Sequence, residues 1–160
     1  MPDSLKFHEA ATLPLSVTLA AVGLYQKNHL SLPLPQLELA HTGKIVVVLG
    51  GASDIGAMAV QLAVASGVRV IATSSKPDTS LVKSFGASIV IQQEPFAHTE
   101  LLAALGMGNI PLAGIFDTIS TDESFEFVDA VLGDIHQLPP VCAIRPPVKP
   151  PKLFIPSVGK

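Results

Sequence analysis

Residues 44–76 read KIVVVLGGASDIGAMAVQLAVASGVRVIATSSK. The run from Ile45 to Leu49 has no polar alternation. A continuous Val/Ile segment of this kind marks a strand covered on both faces, as parallel sheets require. GGASDIG then turns the chain into a helix expected over about 54–66, where Met58, Leu62 and Ala65 recur at helical spacing. Gly67 follows in the place favoured by a C-cap glycine, and VRVIATSS supplies a second strand. Strand, glycine-rich turn, helix and strand make the βαβ unit that grips a dinucleotide pyrophosphate.

Such a turn needs small residues so that the chain can reverse tightly, backbone can approach the pyrophosphate, and helix can pack on strand. The three positions fall on Gly51, Ser53 and Gly56. Ser53 stands where the middle glycine is usual, and its hydroxyl is expected to donate to a phosphate. The amides of Ser53, Asp54 and Ile55 would face the anion at the helix N-terminus, where the macrodipole favours negative charge. Asp54 suits that dipole but would compete with a phosphate for the same amides. The end of the second strand carries Thr73, Ser74, Ser75 and Lys76 where an NAD-type site has an acidic residue. Hydroxyls with a cation fit a 2′-phosphate, so NADP(H) is expected in preference to NAD(H).

Outward from this unit the alternation continues. KPDTSLVKSFG reads as a short helix ending at Gly86, ASIVI as a third strand, and HTELLAALG as a helix closed by Gly106. A fourth strand is expected around Gly114–Thr118, with Thr121 and Asp122 capping a helix to about Leu132. LPPVCAI is a candidate fifth strand. Upstream, helical spacing covers 8–28 before Pro33 and Pro35 interrupt it. Repeated β-then-α units at short spacing predict an α/β fold, a Rossmann-type doubly wound parallel sheet with helices on both faces. The expected division is 1–43 as a linker helix and proline-containing loop, 44–144 as the dinucleotide-binding domain, and 145–160 as a proline-rich tail with an edge strand.

The chain of 160 residues is 48% hydrophobic and only 14% charged, against a usual charged share of about 25%. Either strands are buried on both faces, or apolar surface awaits a partner. A net charge of −3 without a Lys/Arg run leaves no footprint for nucleic acid or an anionic membrane. Ala10–Tyr25 is oily, but it is shorter than the roughly 20 residues a span needs and contains Pro14. Cys142, the only cysteine, excludes an intramolecular disulfide framework, and a reducing, cytoplasmic compartment is the expectation.

VVVLGGASDIGAMAVQLAVASGVRVIATSS resembles the cofactor domain of the medium-chain dehydrogenase/reductase superfamily, in particular its zinc-independent quinone-oxidoreductase and enoyl-reductase branch. Within it the likeness is to fungal zinc-binding-dehydrogenase-like proteins and trans-acting enoyl reductases. EAATLPL before the first strand, Gln61-Leu62-Ala63 after the turn, LVKSFGA before the third strand and IFDTIS at the fourth carry the same resemblance, over about residues 7–130. It implies cofactor contacts at Gly51, Ala52, Ser53, Asp54, Ile55 and Gly56 around the pyrophosphate, and at Ser74, Ser75 and Lys76 around the adenosine ribose or its phosphate. Thr118, Ile119 and Ser120 would line the cofactor farther along. Leu19 stands where relatives often place a threonine, with Thr18 adjacent. The resemblance also implies that a GroES-like catalytic domain is missing from this chain, together with the cleft between domains.

A short-chain dehydrogenase has a similar VVVTGGASGIG turn but needs a downstream Tyr-x-x-x-Lys pair, and the only tyrosine is Tyr25, upstream. A P-loop fails because no Gly-Lys-Ser/Thr follows the glycines. His8, His29, His41, His98 and His136 are scattered without metal-ligand spacing, so no metal is expected. Glu9, Asp117 and Asp122 read as capping or solvated groups, and Cys142 as a small buried residue. Two readings remain: the cofactor-binding part of an NADP-dependent reductase transferring hydride to an activated double bond or carbonyl, or an inactive dinucleotide-binding or interaction module from a truncated reductase. The partners expected are the cofactor, with a homo-oligomer or a larger reductase or synthase assembly.

Overall fold

The computed structural model describes residues 6–37, 41–93, 97–106, 110–135 and 138–145, with the side chains of Glu9 and Lys76 outside that description. His136 and residues 146–160, including the expected edge strand of the tail, lie outside the described residues.

Five strands form one parallel sheet in the order β3-β2-β1-β4-β5. They are β1 (Ile45–Leu49), β2 (Arg69–Ser74), β3 (Ile89–Gln92), β4 (Leu112–Asp117) and β5 (Val141–Ala143). Chain order runs outward from β1 to β3, then returns to β4 on the other side of β1. The strand order therefore reverses between β1 and β4, and the carboxyl ends of these two strands flank the crevice where open α/β sheets take ligands. The expected doubly wound sheet is present, including the fifth strand.

Every residue of β1 is buried, because both faces of this central strand are covered. Val46 and Val48 join Val70, Ala72 and Phe116 on one face. Ile45, Val47 and Leu49 join Ile71, Ile91 and Ile115 on the other. The period of two along each strand distributes an unbroken apolar run between two cores. Helices α2 (Leu13–Tyr25), α3 (Asp54–Ala65) and α4 (Thr79–Ser84) contribute Leu24, Val60 and Val82 to the first core. Helices α5 (Ala97–Gly106) and α6 (Asp122–Asp134) contribute Leu101 and Val128 to the second.

The helix expected over 8–28 is two pieces, α1 (Phe7–Ala10) and α2. Pro14 has no N–H to give the Ala10 carbonyl, so the ladder is interrupted where the two would join. Tyr25 fastens the far end of α2, its hydroxyl lying 3.0 Å from both the Leu62 carbonyl and the Ser66 Oγ at the end of α3. This pairing sets the end of α2 against the end of α3. Helix α3 ends as expected at Gly67, where the Gly67 and Val68 amides donate back to Val64 and Ala63, the double closure of a Schellman motif. Gly106, by contrast, is the last residue of α5 rather than a left-handed stop beyond it.

Of the two explanations of the oily composition, the first applies. The sheet is covered on both faces, and apolar side chains also remain at the surface, with Phe7 85% and Leu15 68% exposed. No helix among the described residues is long and apolar enough to cross a membrane.

Candidate functional site: a glycine turn at the strand-order reversal

The turn between β1 and α3 is closed by Gly50, whose φ is +75°. The positive φ falls one residue before the expected Gly51, which itself lies inside the turn closed by the Ser53 amide on the Gly50 carbonyl. Gly51 instead presses against β2 and α4: a Cβ there would lie 3.0 Å from Ala72 Cβ and 3.0 Å from Val82 Cγ1. Gly56 is the contact between helix and strand. A Cβ on it would stand 2.1 Å from the Gly50 carbonyl oxygen, so only glycine lets α3 sit this close to the turn.

Ser53 is the N-cap of α3 and its hydroxyl accepts from the Gly56 amide at 3.0 Å. The same Oγ lies 2.8 Å from the Gly50 carbonyl, to which it donates, and 3.0 Å from Thr118 Oγ1. The Ser53 amide also donates to Gly50 O, at 3.0 Å. The expected phosphate donor is thus held inside the turn: a side-chain oxygen that satisfies an orphan amide of the first helical turn is favoured over one left in water. What remains open is a different set of donors. Among the described residues, the amides of Ala52, Asp54 and Ile55 meet no protein acceptor. Asp54 is exposed, and its carboxylate accepts no hydrogen bond among those residues, so the amides beside it are not occupied by it.

The β2 end is arranged around its hydroxyls. Thr73 Oγ1 accepts from the Gly50 amide at 3.1 Å, tying the turn to β2. Ser74 is buried, with its hydroxyl on the Ser75 carbonyl at 3.2 Å. Ser75 is exposed and donates to the Asp78 carboxylate. Lys76 begins a 3-10 turn, Lys76–Asp78. Of the three residues expected around the ribose, Ser75 and Lys76 thus reach the loop, whereas Ser74 points its hydroxyl into the fold.

Across the reversal, β4 delivers Thr118, Ile119 and Ser120. Thr118 donates to the Leu49 carbonyl at 2.6 Å, joining the ends of β1 and β4. Ile119 lines a cavity of about 320 Å³ with Leu49, Thr73, Gln93, Ala97 and Phe127. Glu123 stands at its rim; its own backbone amide, then the Thr121 hydroxyl, hold its carboxyl below the usual range. Helix α6 begins on the expected Thr121 cap, a reciprocal box in which Ser124 N donates to Thr121 Oγ1 and Thr121 N donates to Ser124 Oγ.

Asp117 differs from the solvated or capping role expected of it. It is wholly buried and accepts from two amides of the loop it precedes and from the Ser124 hydroxyl in the first turn of α6. Thr18 uses its hydroxyl on the Pro14 carbonyl at 2.7 Å. Among the described residues the histidines do not converge: His98 pairs with Asp134 across α5 and α6 at 3.2 Å, and His29 meets Cys142 Sγ at 3.4 Å through Nδ1. Among the described residues, no group of three or more His, Cys, Asp or Glu side chains could hold a metal ion.

Cys142 is buried, as expected. Burial, and then the Asp117 carboxylate, push its thiol up to about 11 from an ordinary 9.0. A raised folded-state value favours the protonated form, so its contribution to stability is present below pH 9.0 and is lost as pH rises through about 11. The thiolate fraction at pH 8 should fall about 100-fold, and iodoacetamide should label native protein at least that much more slowly than unfolded protein. Equal rates in buffer and in denaturant, followed by mass spectrometry, would contradict the burial.

No protein-family model matches the chain. It is 52% identical over 105 residues to the trans-enoyl reductase himH of Aspergillus japonicus, covering 66% of this chain and 30% of that one. It is 39% identical over 120 residues to the dehydrogenase azaJ of Aspergillus niger, covering 72% and 35%. The chain spans about a third of the length of these relatives. Among solved structures, a Rhizobium etli protein assigned to the zinc-dependent alcohol dehydrogenases superposes with a TM-score of 0.68 at 33% identity, covering 92% of this chain and 40% of that one. A mycobacterial protein solved with NADPH shares the fold, with a TM-score of 0.63 at 24% identity over 94% of this chain and 43% of its own. Similarity to fungal reductases, together with a sheet whose strand order reverses between β1 and β4, leads to one assignment: the chain belongs to the medium-chain dehydrogenase/reductase superfamily, whose dinucleotide-fold portion it carries.

Proposed function

We propose that the chain binds NADP(H) at its glycine turn and serves a reductase that passes hydride to an activated double bond or carbonyl, as in enoyl or quinone reduction. The observation that carries this reading is the open donor set. Three amides, of Ala52, Asp54 and Ile55, are left without protein acceptors at the N-terminus of α3. They stand where the strand order reverses, a position suited to an anion both by dipole and by topology.

The residues fit the cofactor in three further respects. Gly50 and Gly56 keep side-chain atoms out of the turn, and Gly51 and Ser53 complete a surface of small groups. The apolar cavity behind Ile119 has room for a flat ring such as adenine. Ser75 and Lys76 stand at the exit of β2, where a 2′-phosphate would be met. When bound, the nicotinamide supplies the hydride. The chain's own part is to seat the pyrophosphate on those amides, to line the cofactor with Ile119 and the neighbouring Thr118 and Ser120, and to keep water from the apolar cavity. Residues 44–144 then act as the dinucleotide-binding domain, with 1–43 leading into it, and the remainder of a reductase or synthase assembly supplies the substrate side.

A second cofactor reading has one observation in its favour. The Asp78 carboxylate against Ser75 places negative charge in the same loop, and a ribose 2′-hydroxyl tolerates that better than a 2′-phosphate does. Isothermal titration decides. NADPH should bind at least about tenfold tighter than NADH, a difference of about 1.4 kcal/mol. Tighter NADH would reverse the preference, and no heat with either at millimolar concentration would overturn the binding reading itself.

A further inference from the structure

We infer that Asp117 is a positioning residue that holds the β4–α6 loop against the glycine turn and so sets the affinity for the dinucleotide; this rests on the cofactor reading above. The carboxylate is wholly buried at the end of β4. Its Oδ1 accepts from the amides of Ile119 and Ser120 at 2.9 and 3.0 Å. Its Oδ2 accepts from the Ser124 hydroxyl at 2.7 Å. One side chain therefore gathers two loop amides and the first turn of α6.

The loop so gathered is strained and tightly connected. Ser120 has φ +54° without being glycine, a conformation that persists only where its surroundings enforce it. Asp117 enforces it from one side. From the other, Ser120 Oγ accepts from the Ile144 and Arg145 amides that follow β5, at 3.0 and 3.2 Å. The consequence lies one residue earlier. With Ile119 and Ser120 fixed, Thr118 reaches the Leu49 carbonyl at 2.6 Å and Ser53 Oγ at 3.0 Å, and Ile119 closes the wall of the cavity. Against a Cβ built on Gly50, Thr118 Oγ1 and Ile119 Cγ1 would both stand at 2.9 Å, so the loop lies directly on the turn. Releasing Asp117 frees this loop without touching any amide of the pyrophosphate seat.

The chemistry distinguishes positioning from simple folding. In Asp117→Asn the amide oxygen can still accept from Ile119 and Ser120. The new NH₂ can donate to Ser124 Oγ, whose own hydrogen then serves the Thr121 carbonyl, already 2.9 Å away. In Asp117→Ala all three acceptor contacts vanish. NADPH affinity and amide hydrogen exchange at residues 118–121 are to be measured on wild type and both variants, at a temperature where each is fully folded by circular dichroism.

Asp117→Ala should weaken NADPH binding at least tenfold and speed exchange in this loop selectively. Asp117→Asn should restore affinity to within about threefold of wild type and recover the protection. Wild-type affinity in folded Asp117→Ala would overturn the positioning role while leaving the cofactor reading intact. Failure of Asp117→Asn to restore affinity would do the same. If wild type itself gives no binding, the cofactor reading falls, and the role of Asp117 in affinity falls with it. Unchanged loop exchange in Asp117→Ala would remove the structural premise independently of any ligand.

Discussion

Replacing Gly56 by alanine is expected to lower stability by about 3 kcal/mol, roughly 10 °C in the thermal midpoint, and to abolish dinucleotide binding. An alanine inside a helix ordinarily gains up to about 1 kcal/mol over glycine, so propensity alone predicts the opposite sign. The added Cβ would stand 2.1 Å from the Gly50 carbonyl oxygen and 2.9 Å from Ser53 Oγ. Both are parts of the turn, and one is backbone, so no side-chain rotation relieves the contact. Helix α3 must move away from β1, and the amides of Ala52, Asp54 and Ile55 move with it. Differential scanning fluorimetry and titration with NADPH read the two effects separately. A stabilised variant would show that helix and strand are less closely apposed than described.

Truncating Phe116 to alanine should cost about 3–5 kcal/mol, with a fall in midpoint on the order of 10–15 °C. The ring is 1% exposed and belongs to the core beneath α2. Gly23 of α2 faces it so closely that a Cβ there would meet Phe116 Cε2 at 2.6 Å and Cζ at 2.7 Å. The pair makes a sharper test than either residue alone. Gly23→Ala should destabilise the protein with Phe116 present and stabilise it in a Phe116→Leu background, where the smaller side chain leaves room and the helix propensity of alanine is recovered. A coupling energy near zero would mean that α2 is not seated on this ring. The result also bears on the candidate site, since Phe116 lies between Ile115 and the Asp117 carboxylate that holds the loop.

The alternation of strand and helix was legible because it depends on local periodicity. An unbroken IVVVL run, helical spacing in MAVQLA and stops at Gly67 and Gly86 each act within a few residues. Family membership was legible for a related reason, since the turn and its flanks recur as contiguous motifs. The break between α1 and α2 was open to the sequence as well, through Pro14, but helical spacing alone passes over a missing N–H.

The donors of the site depended instead on which partner each polar group found. Ser53 carries a hydroxyl suited to a phosphate, yet an orphan amide and the Gly50 carbonyl lie nearer. The Ser53 amide is taken by the same carbonyl, so the open amides are those of Ala52, Asp54 and Ile55. Ser74 looked available beside Ser75, but β2 is buried on both faces up to its last residue. Asp117 read as an ordinary capping or solvated carboxylate because its acceptor contacts lie in a loop whose path only the packed sheet fixes.

That this protein is an α/β chain with a dinucleotide-type βαβ unit was readable from its residues, because secondary structure and glycine turns follow from periodicity and backbone sterics over short spans. Packing was needed to show that Gly50 takes a positive φ, that Gly56 cannot carry a side chain, and that Asp117 is buried under the loop after β4 while Thr118 joins β4 to the end of β1. Those outcomes depend on contacts between distant segments, such as Thr118 Oγ1 and the Leu49 carbonyl, 69 residues apart. The distance between such groups is set by how helices and strands pack, which no local pattern encodes.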